Sequence, residues 1–322
     1  MKEEKIIKLQ SVYKDFIWGG TKIRDVLHKD TGGLARVGEC WDISTHPSGQ
    51  SIIAEGQFAG KTLSEYFDIE GWDMLGDYGT KYHQLPVLIK YIDAKDNLSI
   101  QVHPDDEYAR AHENDSGKNE MWFILGANKG AFIYLGFNKN VTREEVENSI
   151  ANDSIEKLLN KVYVKKGETY FIPAGTVHAI GKGCLICEIQ QTSNVTYRLY
   201  DYKRPDINGK MRELHVDKAM EVINFNFFDI TKYSATSIAR VGQYLKEMLT
   251  EYDRCSILRY EATGEFTYTS TLSRVKFVIV YSGIGTLTCE EDTVKIRVGE
   301  AYFINSPSIK LTGKCKAHII NL

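Results

Sequence analysis

Short runs of β-branched and aromatic residues, broken by Gly, Asn and Asp, set the pattern of this chain. They occupy residues 121–125, 131–137, 169–172, 276–281 and 300–304, and each is bounded closely enough to read as a strand. Helical spacing is the exception. Thr142-Arg-Glu-Glu145 is a capping box that leads into Val146, Ile150, Ile155, Leu158 and Leu159, with a break expected at Asn152-Asp153. A second helix is expected near residues 216–223 and a weaker one over 242–252. The pattern predicts a mainly β protein with a few helices.

Alternation also places polar chemistry. In Ser99-Ile-Gln-Val-His103 the two-residue period of a strand puts Ser99, Gln101 and His103 on one face and Leu98, Ile100 and Val102 on the other. A polar row facing a barrel interior is costly unless it is satisfied, and a cation satisfies a Gln oxygen and a His nitrogen together. Downstream, Gly167-Glu-Thr-Tyr-Phe-Ile-Pro173-Ala-Gly175-Thr-Val-His178 reads as a strand, a Pro/Gly turn and one presented histidine, the other half of a metal site. The first eight residues of this stretch return as Gly299-Glu-Ala-Tyr-Phe-Ile-Asn-Ser, with Gly, Glu, Tyr, Phe and Ile at the same offsets. The second copy has Asn305 where the first has Pro173 and Lys310 where it has His178, so it is expected to be structural. These observations divide the chain into a metal-binding domain at residues 1–232 and a metal-free β domain at 233–322, joined within residues 228–239.

Composition narrows the function. With 322 residues, 43% hydrophobic and 26% charged, the chain buries a substantial core. A formal charge of -3 lacks the basic excess of a nucleic-acid binder. No apolar run approaches the length of a membrane span, and the first ten residues mix acids with bases, so a cytoplasmic location is expected. Six cysteines are too sparse for a disulfide framework, and Cys184 and Cys187 fall on opposite faces of one strand, which makes them buried thiols rather than a chelating pair.

Residues 167–178 match the second motif of cupin-type barrels, Gly-x5-Pro-x-Gly-x2-His, throughout. The first motif departs from the usual form: Gln101 stands where a histidine often does, His103 follows, and the acid comes after a long excursion, in Lys118-Asn-Glu120. Gln-x-His, Lys-x-Glu and Pro-x-Gly-x2-His in this order resemble the type I mannose-6-phosphate isomerases. Phe16-Ile-Trp-Gly-Gly20, Gly38-Glu-Cys-Trp-Asp-Ile-Ser44 and Leu85-Pro-Val-Leu-Ile-Lys90 extend the resemblance over about the first 225 residues, in the short bacterial form without the helical insert of the longer enzymes.

The resemblance implies a cupin-type (jelly-roll) β-barrel with a second, cupin-like β domain. It also implies Gln101, His103, Glu120 and His178 as ligands of one Zn²⁺ per chain; the same N2O2 donors also suit Mn²⁺, Co²⁺ or Fe²⁺. It places Arg198 at the active site, where it stabilises an enediolate, and Lys118 at the phosphate end, with Ser99 adding a directed hydroxyl. Glu188 is the candidate acid/base residue, because a half-buried acid near a cation can be tuned towards a useful pKa; His103 is the alternative carrier, and where the longer enzymes have an acid just before the arginine this chain has Ser193-Asn194. Glu39, Trp41 and Trp18 share the family look and are expected to pack near the mouth. The implied reaction interconverts mannose 6-phosphate and fructose 6-phosphate through a cis-enediol. The alternative from another class is a non-catalytic cupin that binds or senses sugar phosphates, which would keep the ligands but tolerate loss of Arg198 and the carboxylate. An iron oxygenase would favour two histidines and one carboxylate without the added Gln101.

Overall fold

The computed structural model describes residues 4–206, 209–233, 239–241, 244–252, 255–269 and 275–322. Its strands form three sheets, and the middle one explains the uninterrupted apolar runs. It is ordered Thr169–Ile172, Glu120–Ala127, Cys184–Gln191, Val87–Asp93, Glu39–Ile43 and Val12–Lys14. One face packs Trp122, Ile124 and Ile186 against Ile133, Leu135 and Ile180 of a five-stranded sheet. The other packs Phe123, Cys187 and Tyr91 towards Phe277, Phe303 and Ile320 of a C-terminal sheet. A strand covered on both sides has no solvent face to mark with polar residues, and Cys184–Gln191 is buried at every position.

The five-stranded sheet is ordered Tyr197–Tyr200, Ile100–Val102, His178–Ile180, Phe132–Phe137 and Leu159–Tyr163. Its outer face is covered by two of the expected helices. Val146 of Arg143–Ala151, and Ala219 and Met220 of Val216–Val222, join Ile100, Val102 and Leu199 in one apolar cluster. Both bonds of the capping box form, from Glu145 N to Thr142 Oγ1 at 3.1 Å and from Thr142 N to Glu145 Oε2 at 2.8 Å. The helix ends before Asn152-Asp153, and a short 3-10 turn, Ile155–Leu158, carries the remaining apolar residues into a strand. Leu98 departs from the alternation: it lies before the strand starts and packs in the inter-sheet cluster.

The third sheet contains the C-terminal strands and also Ile6–Gln10, which pairs with Ala301–Asn305 in the register Ile6↔Ile304 to Leu9↔Ala301. The repeated motif keeps its local structure here. Gly167 and Gly299 have φ of 95° and 87°, a region that glycine enters without a Cβ clash. The tyrosine hydroxyls donate to the preceding glutamates at 2.9 Å, Tyr170 to Glu168, and 2.7 Å, Tyr302 to Glu300. Lys310 pairs with Glu265 at 2.8 Å on the surface. Residues 234–238, within the expected join, lie outside the described residues, as do 242 and 243. The rest of the helix expected over 242–252 is corrected: Tyr244–Tyr252 is a strand paired with Cys255–Thr269. Leu, Lys, Glu and Met favour a helix only weakly, and long-range pairing overrides that preference.

Between the middle and C-terminal sheets, His318 is fully buried, with its ring 4.8 Å from Phe123 and 4.7 Å from Tyr281. Neither ring nitrogen has a hydrogen-bond partner among the described residues. Burial, with the nearby charge of Arg259 adding to it, pushes its pKa down from 6.5 to about 3. The unfolded chain therefore takes up a proton that the folded chain refuses. Stability from this source is intact above pH 6.5 and falls at lower pH by about 1.4 kcal/mol per pH unit. His318→Gln, which does not titrate, is expected to lose about 2 kcal/mol less than the wild type between about pH 7 and pH 5 in urea denaturation. Equal losses would show that another group governs acid sensitivity.

Candidate functional site

Two rows of side chains face each other across the space between the middle and five-stranded sheets. Strand register sets both, because residues directly opposite on paired strands project to the same face. In the five-stranded sheet His178 pairs with Gln101, and Gln101 with Arg198. In the middle sheet Trp122 pairs with Glu188, and Glu188 with Lys90. Glu120, two residues before Trp122 on its strand, shares that face, and His103 follows Ile100–Val102.

At one end these residues make a compact donor cluster. Glu120 Oε1 is 3.2 Å from His103 Nε2, and Glu120 Oε2 is 3.5 Å from His178 Nε2. One ligand atom from each of the three residues lies within 4.8 Å of the others, and each residue is 1% exposed. The histidines are fixed from behind: His103 Nδ1 lies 2.8 Å from Val195 O, and His178 Nδ1 lies 2.8 Å from Thr176 O. A carbonyl can only accept, so both Nδ1 atoms carry the proton and both Nε2 lone pairs point at the cluster. Burial lowers both imidazole pKa values, that of His103 to about 3, which keeps the lone pairs free. Burial alone would raise Glu120, but Lys118 and His103 hold it well below the usual carboxylate range. Two neutral imidazoles and an ionised carboxylate fit a divalent cation. Gln101 Nε2 is 3.5 Å from His178 Nε2, and turning the amide over brings its oxygen to the same place as a fourth donor.

The turn that delivers His178 depends on glycine. Gly175 has φ of 82°, its N–H donates to His103 O at 2.8 Å, and a Cβ there would meet Val222 O at 2.9 Å. Ala174 N donates to Asn119 Oδ1 at 2.9 Å, and Asn119 N to Gln191 Oε1 at 2.9 Å, so the turn is tied to the strand that bears Glu120.

Gln101 and Lys118, which touch the cluster, also line a cavity of about 280 Å³ together with Trp18, Glu39, Lys90, Ser99, Glu188, Arg198 and Arg212 among others. Lys118 is buried against the cluster, where Nζ donates to Glu120 Oε1 and to His103 Nε2 at 3.1 Å. Glu188 is 2% exposed; its Oε1 lies 2.9 Å from Lys90 Nζ and its Oε2 accepts from Trp122 Nε1 at 2.8 Å. The same indole N–H reaches Glu120 Oε2 at 3.1 Å, tethering the two carboxylates. Burial raises the Glu188 pKa, the charge of Glu120 adds to it, and Lys90 opposes. Arg198 is half-buried, with Nε 3.3 Å from Ser99 Oγ and Nη1 2.9 Å from Glu213 O. It does not pair with Asp201, which Arg204 and Arg212 occupy.

Lys90 and Arg212 line the cavity and buried Trp122 holds the two carboxylates, three roles not expected from the sequence. Lys90 carried a signal: it is a lysine directly after the apolar run Val87-Leu-Ile89, on a strand buried at every position. Burial works against its charge, and Glu188 and Glu39 together hold the pKa above the usual lysine value. Glu39 and Trp18 line the cavity, and Trp41 Nε1 holds Glu39 at 2.7 Å. Cys184 and Cys187 are buried on opposite sides of their sheet, away from the donors. A wider groove of about 480 Å³ runs beside the helix Asp106–His112, but neither Gln101 nor Lys118 lines it.

The family model described as the catalytic domain of type I phosphomannose isomerase matches residues 6–132. The probable mannose-6-phosphate isomerase GmuF of Bacillus subtilis is 38% identical over 267 residues, 81% of each chain. A crystal structure of the mannose 6-phosphate isomerase from Bacillus subtilis superposes with a TM-score of 0.90 at 33% identity, covering 99% of this chain and 100% of that one. A zinc-bound mannose 6-phosphate isomerase shares the fold, with a TM-score of 0.78 at 16% identity over 98% of this chain and 99% of that one.

Proposed function

Because the chain belongs to the type I phosphomannose isomerase family, we propose that the cavity between the two facing rows is its active site, where mannose 6-phosphate and fructose 6-phosphate are interconverted. The observation that carries this is the opposition of His178, Gln101 and Arg198 to Trp122, Glu188 and Lys90, with His103 and Glu120 closing one end. Zinc suits the buried donors His103, Glu120 and His178 with Gln101 beside them, and when bound it supplies positive charge next to the sugar oxygens on which negative charge develops.

The chain's own groups do the rest. Moving a proton between C2 and C1 through a cis-enediol requires a carrier that both accepts and releases it, and Glu188, with its pKa raised by burial, is poised for that exchange. Trp122 and Lys90 hold its two oxygens and fix its orientation. Lys118, between His103 and Glu120, presents a charged donor to the reacting oxygens, and this supports a role at the chemical end of the substrate. Arg198, next to Gln101 on the adjacent strand, holds the substrate oxygens and counters the enediolate; Ser99 accepts from its Nε and keeps it turned into the cavity. A non-catalytic sugar-phosphate binder needs neither a buried carboxylate in the opposite wall nor the lysine that orients it. A phosphorylated sugar is held inside the cell by its charge, which supports a cytoplasmic location; no described helix is long and apolar enough to cross a membrane.

The test is turnover of mannose 6-phosphate by the zinc-loaded protein, alongside Arg198→Ala. The variant is expected to keep its zinc and lose about 10²-fold or more in kcat/KM. Near-normal turnover would return Arg198 to a surface role.

A further inference from the structure

His103, Glu120 and His178 come from separate parts of the chain, and the segments that flank them are joined by a closed triangle of hydrogen bonds. Just after His103, Pro104 O accepts from Lys118 N at 3.0 Å and Asp106 Oδ1 from Gly117 N at 2.9 Å. Just before Glu120, Asn119 Oδ1 accepts from Ala174 N at 2.9 Å. The third side runs from Gly175 N to His103 O at 2.8 Å. None of these bonds uses a donor atom of the cluster, so the triangle holds the ligands from outside.

Gln191 braces two of its sides. It ends the strand that carries Glu188 and is 4% exposed. Its Oε1 accepts from Asn119 N at 2.9 Å and from Asn119 Nδ2 at 2.7 Å, and its Nε2 donates to Asp106 Oδ1 at 3.1 Å. Its own N–H returns to Asn119 O at 3.1 Å. Both ends of this relay fix its direction. Ala174 N–H can only donate, so Asn119 turns its oxygen to the turn and its NH₂ to Gln191; the Asp106 carboxylate accepts, so Gln191 turns its own NH₂ there. Reversing either amide would set donor against donor or acceptor against acceptor. None of Asp106, Asn119 and Gln191 lines the 280 Å³ cavity.

We propose that Gln191, acting through Asn119 and Asp106, is the positioning residue that sets the spacing of the three donors, and with it how tightly zinc is held. The inference rests on the reading of the cluster as a zinc site. Zinc bonds to nitrogen and oxygen at about 2.0–2.2 Å, so donors held near that spacing beforehand bind it with little rearrangement. Removing the Gln191 amide takes one acceptor from both the N–H and the NH₂ of half-buried Asn119. Asn119 then loses its hold on Ala174, and the turn that delivers His178 shifts against the strand that bears Glu120. Because the relay stands behind the ligands and outside the cavity, its loss acts on zinc affinity and leaves the substrate contacts in place.

The experiment compares wild type with Gln191→Glu, Gln191→Met and Asn119→Asp by zinc affinity in competition with a chelator, by the visible spectrum of the cobalt(II)-substituted protein, and by kinetics on mannose 6-phosphate. Glutamate keeps the shape and one acceptor but sets an oxygen against Asp106, methionine removes both ends of the relay, and aspartate at 119 keeps the bond from Ala174 but sets an oxygen against Gln191. Each variant is expected to bind zinc about 10- to 100-fold more weakly, the cost of losing a partner that orients metal ligands. The cobalt spectrum, which reports ligand geometry, is expected to shift. At saturating zinc, KM for mannose 6-phosphate is expected to stay within about two-fold of wild type, since the substrate contacts remain. Asp106→Asn in the Gln191→Glu background restores an N–H opposite the new oxygen and is expected to recover part of the lost affinity. Wild-type zinc affinity and an unshifted spectrum in Gln191→Met and Asn119→Asp would overturn the proposal, and a lower melting temperature with unchanged zinc affinity would overturn it equally. A wild type that binds zinc but turns over no mannose 6-phosphate would instead overturn the isomerase reading, and the zinc titration would still decide the role of Gln191.

Discussion

Glu120→Gln and His178→Ala are each expected to lose zinc and turnover together. Both residues are 1% exposed and their donor atoms lie 3.5 Å apart, so each supplies a donor from inside the protein. Removing a partner that merely orients a ligand costs about 10- to 100-fold in metal affinity, and removing the ligand itself costs more. Glutamine is the better choice at position 120, because it keeps the volume and an oxygen that accepts from buried Lys118, whereas alanine leaves that ammonium only His103 Nε2 and mixes a folding defect into the result. Elemental analysis after dialysis is expected to find zinc far below one per chain in both variants, with activity lower by at least about 10³-fold. Stoichiometric zinc in both would refute the ligand assignment.

Replacing Glu188 with Gln is expected to have the opposite signature, with zinc retained and kcat reduced by about 10²- to 10⁴-fold, the range of a single proton carrier. Glutamine keeps the volume and an oxygen to accept from Trp122 at the present 2.8 Å contact, so the sheet is not disturbed. It cannot take a proton at neutral pH. It also leaves Lys90 with only Glu39, at 3.5 Å, so the conservative control is Lys90→Met in the Glu188→Gln background. If loss of the lysine's partner were the cause, the double variant would recover activity; a lost proton carrier leaves it as slow as the single one. A kcat within a few-fold of wild type would place the proton on another group, with Lys118 next in line by its contacts.

Much of this site was legible because local rules produce it. The Pro173 to Gly175 turn requires particular residues at particular positions, and strand alternation put Gln101 and His103 on the same wall. The repeat at 167 and 299 was legible for the same reason, and the two copies share the glycine conformation and the tyrosine-to-glutamate bond. The rest depends on what covers a strand. Whether Glu188 faces solvent or an interior cannot be read from Cys184–Gln191, because that strand is buried on both faces and its pattern would be the same. Lys90 and Trp122 join the site through the rung they share with Glu188, a register whose paired residues lie 66 or more positions apart in the chain. Asp201 and Arg212 meet across a turn with no regular period. The pairing of Ile6–Gln10 with Ala301–Asn305 joins the two ends of the chain and leaves no local trace in either.

The central claim is that one buried zinc site in this cavity supports interconversion of mannose 6-phosphate and fructose 6-phosphate. Its most direct test is the rate of that reaction measured on the protein as purified, after chelation and dialysis, and after one equivalent of Zn²⁺ is restored. The account predicts a rate that vanishes with the metal and returns with it, in proportion to zinc bound. A rate that survives complete removal of metal, or a fully zinc-loaded protein that leaves both sugar phosphates unchanged, would contradict it.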